Sequence, residues 1–186
     1  MSNPIVQAAA DVQGFCSSRG WRFCFIGGLA VQRWGEPRLT QDADLTIISG
    51  FGGEAAFIDA LLGRFRARRP DARDFAIRNR VVLMMAPNGV PVDISLGAMP
   101  FEERAVARAT DFTIAPGVTI RTCSAEDLVV MKAFAGRDRD WLDIRGIIDR
   151  QAGSLDHELI LSELGPLLEL KEDPEGGDRL RALLGP

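Results

Sequence analysis

Residues 21–48 read WRFCFIGGLAVQRWGEPRLTQDADLTII, and no other stretch limits the fold as tightly. The run is aromatic and alternating to Ile26, breaks at Gly27-Gly28, and takes helical spacing over 29–35. It stops at Gly35, with Pro37 just beyond, and alternates again from Asp42. The pattern predicts a strand over 21–26, a glycine turn, a short helix over 29–35 and a second strand over 42–48. On the second strand Ala43, Leu45 and Ile47 are expected to face a core. The period of two then puts Asp42, Asp44 and Thr46 together on the opposite face. A glycine pair between strand and helix lets the backbone approach a phosphate closely, and the first N–H groups of a helix favour an anion. Two carboxylates at i and i+2 can hold one divalent cation or bridge two.

The rest of the chain supplies a scaffold and a third acid. Ile5, Ala9, Val12 and Phe15 predict a helix over 4–18, and 54–68 reads as an amphipathic helix with a basic end. A hairpin follows, with arms 80–86 and 90–96 around Pro87-Asn88-Gly89. In its second arm Val92 and Ile94 face inward, so Asp93 points the other way and is the candidate third carboxylate. A short helix is expected over 101–108 and a strand over 118–121. Ser124, with Asp127 three residues on, caps a helix that Gly136 interrupts. Residues 139–151 form another helix, with Leu142, Ile144, Ile147 and Ile148 as its apolar side, and 155–169 a further one. KEDPEGGD reads as a polar linker and RLRALL as a last turn. Strands and helices mixed early, with helices alone late, predict an α+β fold. A mixed sheet core over 1–122 is expected, with a helical extension over 123–186 packed on it as one compact unit.

Composition removes several function classes. With 186 residues the chain can bury a real core. The net charge of -4 argues against extended DNA binding. The only histidine, His157, leaves no material for a histidine zinc site or a His-dependent triad. Cys16, Cys24 and Cys123 form no CxxC unit; with no signal peptide they predict a reducing, cytoplasmic setting. No apolar run is long enough for a membrane span. Of 22 basic residues only Lys132 and Lys171 are lysines. Lys132 follows LVVM in an apolar helix, where a compact ammonium at a phosphate or a proton-transfer position competes with a side chain that snorkels from a helix edge.

The quoted stretches resemble the signature of the nucleotidyltransferase superfamily: hydrophobic-Gly-Gly, a short helix, then Asp-hydrophobic-Asp. VPVDISL resembles its third-carboxylate strand, and SAEDLVVMKAFAGRDRDWLDIRGII the helical motif of the branch typified by AbiEii toxins. The resemblance covers about residues 21 to 150. It implies that Gly27 and Gly28 contact triphosphate and that Asp42, Asp44 and Asp93 bind Mg²⁺ or Mn²⁺. Arg38 and Thr40 match an Arg-x-Thr-x-Asp-x-Asp form, placed to touch phosphate or brace the aspartates. Lys132, Arg137, Asp140 and Asp143 match the branch's Lys, Arg, Asp and Asp, as catalytic and nucleotide-binding groups or as an ion-pair cluster holding two helices. The implied activity moves an NMP from an NTP to a hydroxyl on tRNA, protein or a small molecule such as an antibiotic, with an antitoxin as a possible partner.

Each feature also has a plain structural reading. A strand-Gly-Gly-helix unit is usually just a turn, and DxD on a strand often lies on a solvated face. The same pocket in an inactive chain would be a nucleotide-binding or protein-interaction module. Residues 63–80 pack seven arginines among two acids, as a solvated segment or as a patch for RNA phosphates. Trp21 and Trp141 sit beside core patterns, and Trp34 stands near the expected nucleotide pocket.

Overall fold

A computed structural model describes residues 3–151 and 153–185. Its elements run α1 (Pro4–Ser18), β1 (Phe23–Phe25), α2 (Gly27–Trp34), β2 (Ala43–Ile48), α3 (Glu54–Arg64), β3 (Arg66–Ala67), α4 (Ala72–Asn79), β4 (Val81–Met85), β5 (Pro91–Gly97), α5 (Pro100–Arg108), β6 (Thr110–Ala115), β7 (Val118–Thr122), α6 (Ala125–Ala135), α7 (Asp138–Gln151), α8 (His157–Lys171) and α9 (Pro174–Leu184). The expected α+β architecture is present. The strands form one mixed sheet in the order β3-β4-β5-β2-β1-β7-β6. The β2–β5 and β1–β7 pairs are parallel and the others antiparallel.

Two compact units divide the chain. One comprises Met1–Leu29 and Leu39–Cys123, the other Ala30–Arg38 and Ser124–Pro186. The first holds the whole sheet. Its core joins Ala9, Val12 and Cys16 of α1 with Leu45, Ile47, Val92, Ile94 and Ile120 of the strands. Burial pushes the Cys16 thiol up to about 12, so it behaves as a small apolar side chain. The second unit carries α6 to α9 and buries Leu128, Val129, Ile144, Ile147, Ile160 and Leu164. Its α6 starts on Ser124, whose hydroxyl oxygen accepts from the Asp127 N–H, and ends at Gly136 in the left-handed region (φ 69°).

Several boundaries depart from the sequence expectation. Gly27 and Gly28 form the first turn of α2 rather than a separate break, and β1 is only three residues long. The helix expected over 54–68 ends at Arg64: Phe65 is extended, and Arg66 and Ala67 pair with Met85 and Met84 as an edge strand. Within the arginine-rich run, Ala72 and Ala76 are buried one turn apart and carry α4 against the sheet. These alanines are too small to stand out among charges. Strand β6 was not expected; it pairs with β7 around Gly117 (φ 76°). The supposed linker KEDPEGGD mostly belongs to α9. There the Asp173 carboxylate accepts from the Gly176 N–H and Pro174 fills the first helical position.

Helix α7 buries most of its expected apolar side, and two acids with it. Leu142 is 67% exposed, whereas Asp140, Trp141, Asp143, Ile144 and Ile147 are buried. The apolar count placed Ile144 and Ile147 correctly but Leu142 wrongly, because two carboxylates share the inner side. Trp21 packs on Phe15 and Phe57, and the Trp141 indole N–H donates to the Gly136 carbonyl. Both act in packing, in line with their plain reading.

Candidate active site

The parallel register between β2 and β5 sets Asp44 directly beside Asp93. Asp42 lies two residues before Asp44, and on a strand that spacing returns it to the same face. The three carboxylates are half-buried, and one oxygen from each lies within 4.8 Å of the others. The apolar residues between them face the core: Ala43, Leu45, Val92 and Ile94 are fully buried. The alternation that builds the core therefore also builds the acidic cluster.

The loop before β2 braces the first aspartate. The Thr40 hydroxyl lies 3.1 Å from Asp42 Oδ1 and 3.2 Å from its carbonyl oxygen. The glycine pair fits around the same residues. A methyl group at Gly27 would come within 2.1 Å of Asp44 Oδ2, and one at Gly28 within 2.3 Å of Thr40 Oγ1. Gly27 also has φ 56°, a conformation that L side chains rarely adopt. The helix N-terminus thus lies against the acidic strand with no room for side chains between them.

Arg68, which sequence reasoning did not single out for the site, bonds to Asp93 Oδ1. Burial pushes the Asp93 carboxyl up, Arg68 opposes this and Asp42 adds to it; the net displacement is upward. The only sequence trace of Arg68 is the Arg66-x-Arg68 alternation, legible once 66–67 is known to be a strand. The other arginines of this segment are mostly engaged by acids. Arg69 and Arg78 pair with Asp71, Arg73 with Asp59 and Arg80 with Glu54. Local pairing makes much of the segment a self-neutralised surface.

The second unit gathers the remaining sequence candidates into a charged network. The Lys132 ammonium is buried and donates to Asp143 Oδ2 at 2.6 Å and Asp140 Oδ1 at 3.2 Å. Arg38 forks onto both oxygens of Asp143 at 2.9 and 3.0 Å, and Arg137 onto Asp140 at 2.6 and 3.3 Å. Burial pushes both aspartates up, but the hydrogen bonds and charges of these cations outweigh it and hold both carboxyls below the usual range. Lys132 does not snorkel: its ammonium is enclosed.

The sequence profile of the family described as "Nucleotidyl transferase AbiEii toxin, Type IV TA system" matches residues 16–165. The chain belongs to this nucleotidyltransferase family. The match takes in the glycine pair, the three-carboxylate cluster and the Lys132 network. No curated protein sequence matches the chain significantly. Solved structures share the family's fold. An antigenic nucleotidyltransferase-like protein from Paracoccidioides brasiliensis is 18% identical, with 95% of this chain and 92% of that one aligned and a TM-score of 0.57. The antibiotic-resistance factor ANT(2'')-Ia in solution is 14% identical, with 95% and 97% aligned and a TM-score of 0.56. Its crystal structure in complex with adenylyl-2''-tobramycin is 16% identical over 89% and 98%, with a TM-score of 0.51. Among the described residues no helix is long and apolar enough to cross a membrane.

Proposed function

We propose that this chain is a divalent-metal-dependent nucleotidyltransferase that moves an NMP from an NTP to a hydroxyl acceptor. One observation carries the reading: Asp42, Asp44 and Asp93 converge within 4.8 Å immediately beside the glycine-paired start of α2. The donor set fits the metal. Three hard carboxylate oxygens at this spacing suit Mg²⁺ or Mn²⁺, whose ligand oxygens lie about 2.0–2.1 Å from a magnesium ion. Bound there, the metal would neutralise phosphate charge and orient the reacting oxygens.

The chain's own groups take the other roles. The N–H groups of Gly27 and Gly28 bind the β- and γ-phosphates. Asp42 and Asp44 are the principal metal ligands, with Thr40 fixing the rotamer of Asp42. Asp93 is the third ligand and accepts the proton of the incoming hydroxyl as its oxygen bonds to the α-phosphorus and pyrophosphate leaves. Lys132, Arg38 and Arg137 enter this account as an ion-pair cluster that ties α6 to α7, because Asp140 and Asp143 hold their cations.

The family's toxin description supports an RNA or protein acceptor and an antitoxin partner. The fold shared with ANT(2'')-Ia supports a small hydroxyl compound instead. Incubation with each α-labelled NTP and a cell extract separates them by what becomes labelled. An RNA acceptor predicts labelling that weakens steeply with salt, and a small-molecule acceptor labelling that does not. A thermal shift with NTP and metal but no pyrophosphate release would mark a binding module instead.

A further inference from the structure

The sheet register sets one transverse row across four strands. The Arg68 N–H donates to the Leu83 carbonyl as β3 runs out, Leu83 pairs with Asp93, and Asp93 pairs with Asp44. Paired residues project to the same face, so Arg68 sits on the carboxylate side of the sheet at its edge. Its side chain reaches over Leu83 and bonds to Asp93 Oδ1. Both side chains of this pair are about one-third exposed, so the guanidinium can swing away without opening the core. Arg66 lies on the same edge and face, two residues earlier.

We propose that Arg68 is an internal counter-cation that competes with the divalent metal for Asp93. Three acids this close repel one another, and a cation at the site relieves that repulsion. Arginine cannot release its charge by deprotonation, so it leaves Asp93 only by moving. Asp93 joins Asp42 and Asp44 at the metal when the guanidinium is displaced. Arg68 therefore keeps the metal-free cluster assembled and lowers its affinity for free metal. It acts through Asp93 and is a positioning residue.

This inference rests on the metal-site reading above. The test titrates the full-length, nucleotide-free protein with Mn²⁺ and follows free Mn²⁺ by electron paramagnetic resonance. Arg68→Gln is expected to bind Mn²⁺ about five-fold more tightly, the upper range for a partly exposed ion pair. Arg68→Lys should fall between it and the wild type, and Arg66→Gln should match the wild type. Without metal, Arg68→Gln should melt lower than wild type and gain more on Mn²⁺ addition. Unchanged or weaker Mn²⁺ binding by both Arg68 variants overturns the competition. Asp44→Asn separates the two levels. If it binds Mn²⁺ as well as wild type, the metal-site reading fails; if it loses binding while both Arg68 variants behave as wild type, only the role of Arg68 fails.

Discussion

At the residue scale, Asp44 and Thr40 crowd the positions where side chains on Gly27 and Gly28 would stand. Gly27→Ala should therefore cost about 1–3 kcal/mol through its positive φ and displace the Asp44 carboxylate. Its measurable signature is a folded protein whose Mn²⁺ binding is lost; retained wild-type binding would show that Asp44 tolerates the methyl group. Lys132 stood out as one of two lysines. Both its partners lay in the same quoted motif, yet only the packing of α6 on α7 reveals that they enclose it. Lys132→Met leaves two buried carboxylates short of a cation, which should cost about 3–5 kcal/mol. A melting temperature lower by on the order of 10 °C follows for a chain of this size, and calorimetry would detect it.

At the element scale, long periodic segments were readable and edges were not. Helix α1 and the hairpin arms follow from apolar spacing; β3, β6 and α4 depend on neighbours that a local window cannot contain. Strand β3 matters most, because its pairing with β4 brings Arg68 to Asp93. Helix α7 misled in an instructive way: its inner face carries Asp140 and Asp143, and apolar periodicity assigns acids to the outside. That face also carries a pH dependence. Both carboxyls are held below their ordinary value of 3.8, so their contribution is complete above that value and disappears as pH falls below it. Asp143→Asn lacks its share at every pH. Thermal melts from pH 7 downward should therefore show a steady gap between wild type and variant that narrows progressively as pH falls below about 3.8. A gap that stays unchanged or widens below that pH would contradict this.

At the scale of the whole molecule, the sequence revealed the family before any coordinates did, because its signature joins segments about fifty residues apart. Asp93 is far from Asp42 and Asp44 in the chain, and the parallel β2–β5 register closes that distance. The acceptor is less legible. By composition the arginine-rich run reads as a solvated segment or as a patch for RNA phosphates; in the fold its cations largely face Asp59, Asp71, Glu54 and Asp93. The most direct test of the central claim is transfer of label from α-labelled NTP in a cell extract. Wild-type protein and Asp44→Asn would be compared with Mg²⁺ and with EDTA, after circular dichroism confirms equal folding. The account predicts a labelled acceptor and pyrophosphate release only for wild type with Mg²⁺. Equal labelling by Asp44→Asn, or labelling undiminished by EDTA, would contradict it.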